Sequence, residues 1–179
     1  MIADKVYISN ATFMGRNMKS VDLRNVEWVN NSMNRAFYLC GNLRSVSNIN
    51  ENVTHMRYAF QACPNLVNVP SIPDGVVDMY STFGFCSNLV NAPIIPNSVT
   101  NMGGTFYSCS NLVGDIYMYS ENIFNAINCF FGSRLTKNVY IPFTYENGVN
   151  TQTYNSFINA GYDKNGTSCG VYLKDLNSL

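Results

Sequence analysis

Residues 66–88 read LVNVPSIPDGVVDMYSTFGFCSN, and the same order of landmarks returns every 23 residues on either side. Met33, Met56, Met79 and Met102 fall in one column. So do Phe37, Phe60, Phe83 and Phe106, then Cys40, Cys63, Cys86 and Cys109, then Asn42, Asn65, Asn88 and Asn111. Leu43, Leu66, Leu89, Leu112 and Leu135 carry the register one turn further, as do Ile49, Ile72, Ile95, Met118 and Ile141. Self-similarity at this period means stacked coils, because a unit so short cannot bury its apolar side without a neighbour.

Within one coil, residues 66–72 are short, apolar and closed by Pro73, which predicts a strand ending in a turn. Pro73, Asp74 and Gly75 supply turn chemistry: proline presets φ and glycine tolerates positive φ. Met79 and Phe83 stand at i and i+4, so one helical or 3₁₀ turn would aim both at the core. Cys86 and Leu89 then close the coil. The predicted unit is strand, turn, short helical piece, turn. Stacking sets equivalent residues about 4.8 Å apart, so the invariant columns become ladders. The Leu, Ile, Met and Phe ladders form the core, and the Asn ladder serves the backbone of neighbouring loops.

The last coils change rhythm. The column of Val46, Val69 and Ala92 becomes Asp115 and Asn138, while Ile116/Met118 and Val139/Ile141 alternate strictly. Strict alternation predicts strands that turn Tyr117, Tyr119 and Tyr140 outward. The organisation expected is a single domain over 1–179: an N-terminal cap and divergent coil over 1–29, repeats over 30–143, and a cap over 144–179. In that last cap, turns are expected at Glu146-Asn147-Gly148 and at 163–166, a helix over 151–160 stopped by Gly161, and a strand from Gly170 to Leu173.

The string C-x-N-L-x-x-x-P-x-I-P-x-x-V-x-x-M-x-x-x-F-x-x-C occupies residues 63–86 and again 86–109. It resembles the BspA-type leucine-rich repeat over roughly residues 30–143, and residues 99–109 are also similar to Mycoplasma-lipoprotein-type repeats. The resemblance implies a mainly β repeat solenoid of about five 23-residue coils. Right-handed winding follows from the resemblance and the usual crossover rule. Proteins of this family are generally bacterial or protist surface and adhesion proteins, and similar repeats occur in phage and prophage products.

Net charge is zero and charged residues are only 12% of the chain, so neither nucleic acid nor a membrane surface is expected as a partner. Lys5, Arg16, Lys19, Arg24, Arg35, Arg44 and Arg57 precede residue 60, whereas 61–133 hold acidic residues but no Lys or Arg. The opening residues MIADKVYISN show no apolar h-region, so the expectation is a bacterial cytoplasm or a virion, with a secreted or surface role as the alternative. Cysteines set in a line do not make the tetrahedron that zinc requires, so reduced, buried thiols are expected and no metal site. His55 is the only histidine and shares its column with Asp78, Asn101 and Phe124, which offers no catalytic partner. No enzymatic activity and no cofactor are expected.

Function is left to the columns that refuse to repeat. On the turn side these carry Arg35, Arg57, Tyr58, Tyr80, Phe85 and Tyr107; on the strand side, Ile94, Tyr117, Tyr119 and Tyr140. Tyr and Arg are the side chains that most often anchor protein interfaces, and the chain has 12 tyrosines. The expectation is a protein-binding scaffold, phage- or prophage-encoded, that masks a host or defence protein or serves as a virion receptor-binding part. Alternatives are a surface adhesin or carbohydrate-binding module, and a structural protein that self-assembles through its solenoid ends.

Overall fold

A computed structural model describes residues 6–133, 137–144, 147–162 and 171–179. Leu135, Glu146, Gly170 and the turn expected at 163–166 lie outside the described residues. The chain is a repeat solenoid built on small parallel sheets. Strand β1 (Val6–Ile8) pairs with β3 (Val26–Trp28), and β2 (Ser20–Asp22) pairs with β4 (Ser45–Ser47). Strands β5 (Ile116–Tyr117), β6 (Lys137–Ile141) and β7 (Val171–Asp175) form a sheet in that order. Between β4 and β5 this wall is reduced to single bridges, Ser45 to Asn68 and Ile95 to Met118. The strand expected over 66–72 is therefore one bridge long. Pro70, Pro73, Pro93 and Pro96 explain it, since each lacks the N–H that a ladder needs. The proline-free segments at 43–49 and 112–118 make true strands. A second line of bridges joins Ser32, His55, Asp78, Asn101 and Asn125 from coil to coil.

The helical piece expected at Met-x-x-x-Phe is not a helix. The amides of Met33, Arg35, Phe37 and Leu39 donate forward to His55, Arg57, Ala59 and Gln61 of the next coil, at 2.8–3.0 Å. The intervening amides of Ala36, Tyr38 and Cys40 donate back to Met33, Arg35 and Phe37 at 3.1–3.2 Å, closing consecutive tight turns. A helix would commit every amide to its own segment and leave the next coil's carbonyls unpaired. This turn ribbon satisfies both. It requires a left-handed residue twice per coil: Arg35, Tyr58, Ser81, Gly104 and Asn128 have φ of 51–63°, and Leu39, Ala62, Phe85, Ser108 and Gly132 have φ of 54–72°. Negative φ followed by positive φ at Asn34 and Arg35 is the type II pattern.

The Met, Phe, Cys and Leu columns are fully buried. Phe13, Phe37, Phe60, Phe83, Phe106 and Phe130 stack face to face at 5.2–5.7 Å, with rings within 11° of parallel. The cysteines do more than fill space. Cys40, Cys63, Cys86 and Cys109 each donate an S–H to the carbonyl of Phe13, Phe37, Phe60 and Phe83 in the preceding coil, at 3.0–3.1 Å. Thr82 and Thr105 hydroxyls bond the Met56 and Met79 carbonyls in the same way.

One register change runs through the late coils. The column of His55, Asp78 and Asn101 continues at Asn125, one residue past the expected Phe124, whose side chain is exposed. Met118 still pairs 23 residues back with Ile95, whereas the Phe124 amide reaches Thr100, so the extra residue lies between 118 and 124. Ser133 consequently occupies the Cys column and donates to the Phe106 carbonyl at 2.7 Å.

Helix α1 (Gln152–Asn159) covers the C-terminal end of the stack. Thr151 caps it by accepting from the Tyr154 amide at 3.0 Å while donating to the Pro142 carbonyl. Phe157 and Tyr162 pack on Phe130 at 6.3 and 5.7 Å, and the Tyr162 hydroxyl accepts from the Phe130 amide at 2.9 Å.

A candidate recognition edge

The turn ribbon fixes its backbone on both sides, so the side chains that differ from coil to coil stand on a rigid base. Arg35 lies over the Tyr58 ring at 5.0 Å, and Arg57 lies over Tyr80 at 5.3 Å. Tyr58 and Tyr80 meet edge to face at 5.4 Å. Arg57 also reaches Asp78 at 3.5 Å, with its own side chain still 45% exposed. Further along the same edge, Phe85, Tyr107 and Phe131 form a second ring ladder at 5.1 and 5.4 Å. Phe85 and Phe131 are about half exposed and Ile127 is 64% exposed.

Two hollows mark the edge. One of ≈ 390 Å³ is lined by Asn10, Ala11, Asn34, Arg35, Arg57 and Tyr58. The other, of ≈ 360 Å³, has Gly104 on its floor and Tyr80, Phe85, Tyr107 and Ile127 around it. Arg35, Tyr58 and Phe85 all sit in the left-handed columns. Each such non-glycine residue costs the fold about 1–2 kcal/mol, so the stacked network must over-determine them.

The structure divides the ten sequence-selected residues between two faces. Arg35, Arg57, Tyr58, Tyr80, Phe85 and Tyr107 share the turn edge. Tyr117 and Tyr140 stack at 5.0 Å on the strand face, while Ile94 and Tyr119 line a separate hollow of ≈ 570 Å³ with Ser71, Ile72, Asp74, Pro96 and Asn97. Lost hydration in that stack, then the Asp115 carboxylate and Tyr140, push the Tyr117 phenol above its usual range. Ile127 and Phe131 were not selected, because a strict 23-residue count meets Cys129 and Gly132 where Phe and Cys are due, and the turn columns were followed only to Tyr107 and Ser108. The signal was present: Phe130, Phe131 and Ser133 repeat the spacing of Phe106, Tyr107 and Cys109 after one inserted residue.

The cysteine column offers no reactive group. Burial pushes the Cys63 thiol up to about 12 and Cys86 well above its ordinary value, as it does Cys129 in the neighbouring column of Thr82 and Thr105. The Asn column binds coil to coil: Asn65 donates to the Gly41 carbonyl at 2.7 Å, and Asn88 and Asn111 to the preceding Asn at 3.4 and 3.3 Å.

A family model for the BspA type leucine-rich repeat region matches residues 6–137 in 6 copies. The chain belongs to the BspA-type leucine-rich-repeat family. No curated protein and no solved structure matches it. The BspA-type match begins at Val6, within the segment expected as a cap, and Phe13 indeed opens the phenylalanine stack. The landmark residues of the repeat are its buried ladders, so membership supports a binding or scaffold role while leaving the contact surface to the irregular columns. No helix among the described residues is long and apolar enough to cross a membrane.

Proposed function

We propose that this BspA-type protein is a non-enzymatic scaffold that binds a protein partner through its turn edge. The observation that carries the reading is the pair of ladders, Arg–Tyr–Tyr with its tyrosines half-buried and Phe–Tyr–Phe with its phenylalanines half-exposed, held on a doubly hydrogen-bonded ribbon. Side chains already stacked in place lose little freedom when a partner arrives, which lowers the entropic cost of binding. Tyrosine and arginine supply the anchor chemistry. The source we favour is a phage or prophage, supported by the similarity of residues 63–109 to repeats in such products. The protein would act in the host cytoplasm by masking a host protein, or on the virion as a receptor-binding part.

The strand face is the second reading, favoured by the stacked Tyr117 and Tyr140 beside the larger hollow. Immobilised wild type, a Tyr58→Ser/Tyr80→Ser/Phe85→Ser variant and a Tyr117→Ala/Tyr140→Ala variant are compared for capture from bacterial lysate. The proposal expects the partner to be lost from the first variant and retained by the second, with unchanged circular dichroism in both. The reverse pattern transfers the site to the strand face.

A further inference from the structure

The two halves of the turn edge differ chemically. At the N-terminal end, the Arg35 guanidinium has one face on Tyr58, which leaves its in-plane N–H groups free to donate as a fork. Among the described residues no carboxylate forms an ion pair with Arg35, whereas Arg57 already has Asp78. At the other end, residues 61–133 carry no Lys or Arg, and the hollow beside Gly104 sets Tyr80, Phe85, Tyr107 and Ile127 among the polar Gln61, Ser81, Asn125 and Asn128. Glycine at 103 and 104 lets Asn125, Tyr80 and Ser81 pack directly against the backbone and so fixes these side chains in place. A Cβ on Gly103 would stand 2.5 Å from the Asn125 amide nitrogen and 3.0 Å from the Tyr80 ring, and one on Gly104 would stand 2.8 Å from the Ser81 hydroxyl. Tyr80 and Ile127 rise on the coils to either side, and Gln61 and Asn128 at the rim offer amides that can pair with a peptide backbone.

Resting on the reading that the turn edge is the binding surface, we infer that it takes an extended acidic segment of the partner. A carboxylate sits on Arg35, and an apolar side chain enters the hollow beside Gly104 against Tyr80, Phe85, Tyr107 and Ile127. The spacing follows from the stack. Arg35, Tyr58, Ser81 and Gly104 share one column, so three coil steps separate the two ends, about 14 Å at the strand spacing. An extended chain at about 3.3 Å per residue covers that distance in about four residues. Bidentate pairing with a planar guanidinium selects carboxylate over a neutral amide, and the aromatic walls select a Leu, Phe or Trp side chain.

The test selects displayed random dodecapeptides on the immobilised full chain, then measures synthetic versions by fluorescence anisotropy. The expected peptides place Asp or Glu about four positions from Leu, Phe or Trp. They bind at least tenfold more weakly to Arg35→Gln, and at least tenfold more weakly to Ile127→Ser. Both substitutions are at exposed positions, so both variants keep the wild-type melting temperature. Peptides that need Ile127 but ignore Arg35→Gln overturn the acidic chemistry and leave the edge standing. Peptides that ignore both and require Tyr117 and Tyr140 overturn the inference together with the reading beneath it. Enrichment of no peptide overturns the linear acidic segment, while the edge itself is then judged by the capture comparison alone.

Discussion

Cys86 donates to the Phe60 carbonyl at 3.1 Å, and Ser133 makes the same bond to Phe106 at 2.7 Å. The column therefore selects a small donor, not a thiol as such. Cys86→Ser is expected to cost about 1 kcal/mol or less in urea unfolding, and Cys86→Val about 1–3 kcal/mol through overpacking and the lost donor. Raised thiol pKa values predict that Cys63, Cys86 and Cys129 resist iodoacetamide at pH 8 in the native state and react once unfolded, as read by peptide mass spectrometry. The sign for stability follows. Cys63 favours the fold fully below its ordinary value of 9.0, and that contribution fades as pH climbs toward about 12. The left-handed columns give an opposite kind of mutation: Ala62, with φ of 57°, replaced by glycine should gain about 1 kcal/mol in thermal unfolding. Identity at these ladder positions was legible because Met, Phe and Cys recur. Positive φ at Arg35 or Phe85 was not, since neither residue type announces it.

At the scale of elements, the i, i+4 placement of Met79 and Phe83 fits a helical turn and a turn ribbon equally well. What decides between them is where the amides go, and sequence spacing does not carry that information. Because alternate amides bond forward to the next coil, the ribbon depends on stacking for its stability. Proline columns weaken the opposite wall to single bridges, so the ribbon is the more continuous side of the solenoid. Helix α1 was legible from Tyr154, Phe157 and Ile158 falling on one face of 151–160 and from the Gly161 stop, and its task is to close the apolar end. Phe157 is fully buried against Phe130. Phe157→Ala is expected to cost about 3–5 kcal/mol in urea unfolding and to raise self-association in sedimentation, as the stack end opens. Val there should recover part of the loss.

Over the whole molecule, each coil touches mainly its neighbours, so stability is a sum of similar interfaces and the edge is a straight line of side chains. One inserted residue between 118 and 124 bends the correspondence between sequence and surface. It places Ile127 and Phe131 beside Tyr107 and extends the edge beyond what a fixed period shows. The solenoid and its buried ladders were thus legible, whereas the turn ribbon and the shortened strands were not, and the surface was legible only as two competing sets of columns. The structure sets six of the ten selected residues in two ladders along one edge and the other four on a different face. Capture from lysate by wild type, the Tyr58→Ser/Tyr80→Ser/Phe85→Ser variant and the Tyr117→Ala/Tyr140→Ala variant tests that division directly. The account predicts that the turn-edge variant loses the wild-type partner while keeping the wild-type circular dichroism, and that the strand-face variant keeps the partner. A partner that survives the turn-edge substitutions and vanishes with Tyr117 and Tyr140 would contradict it.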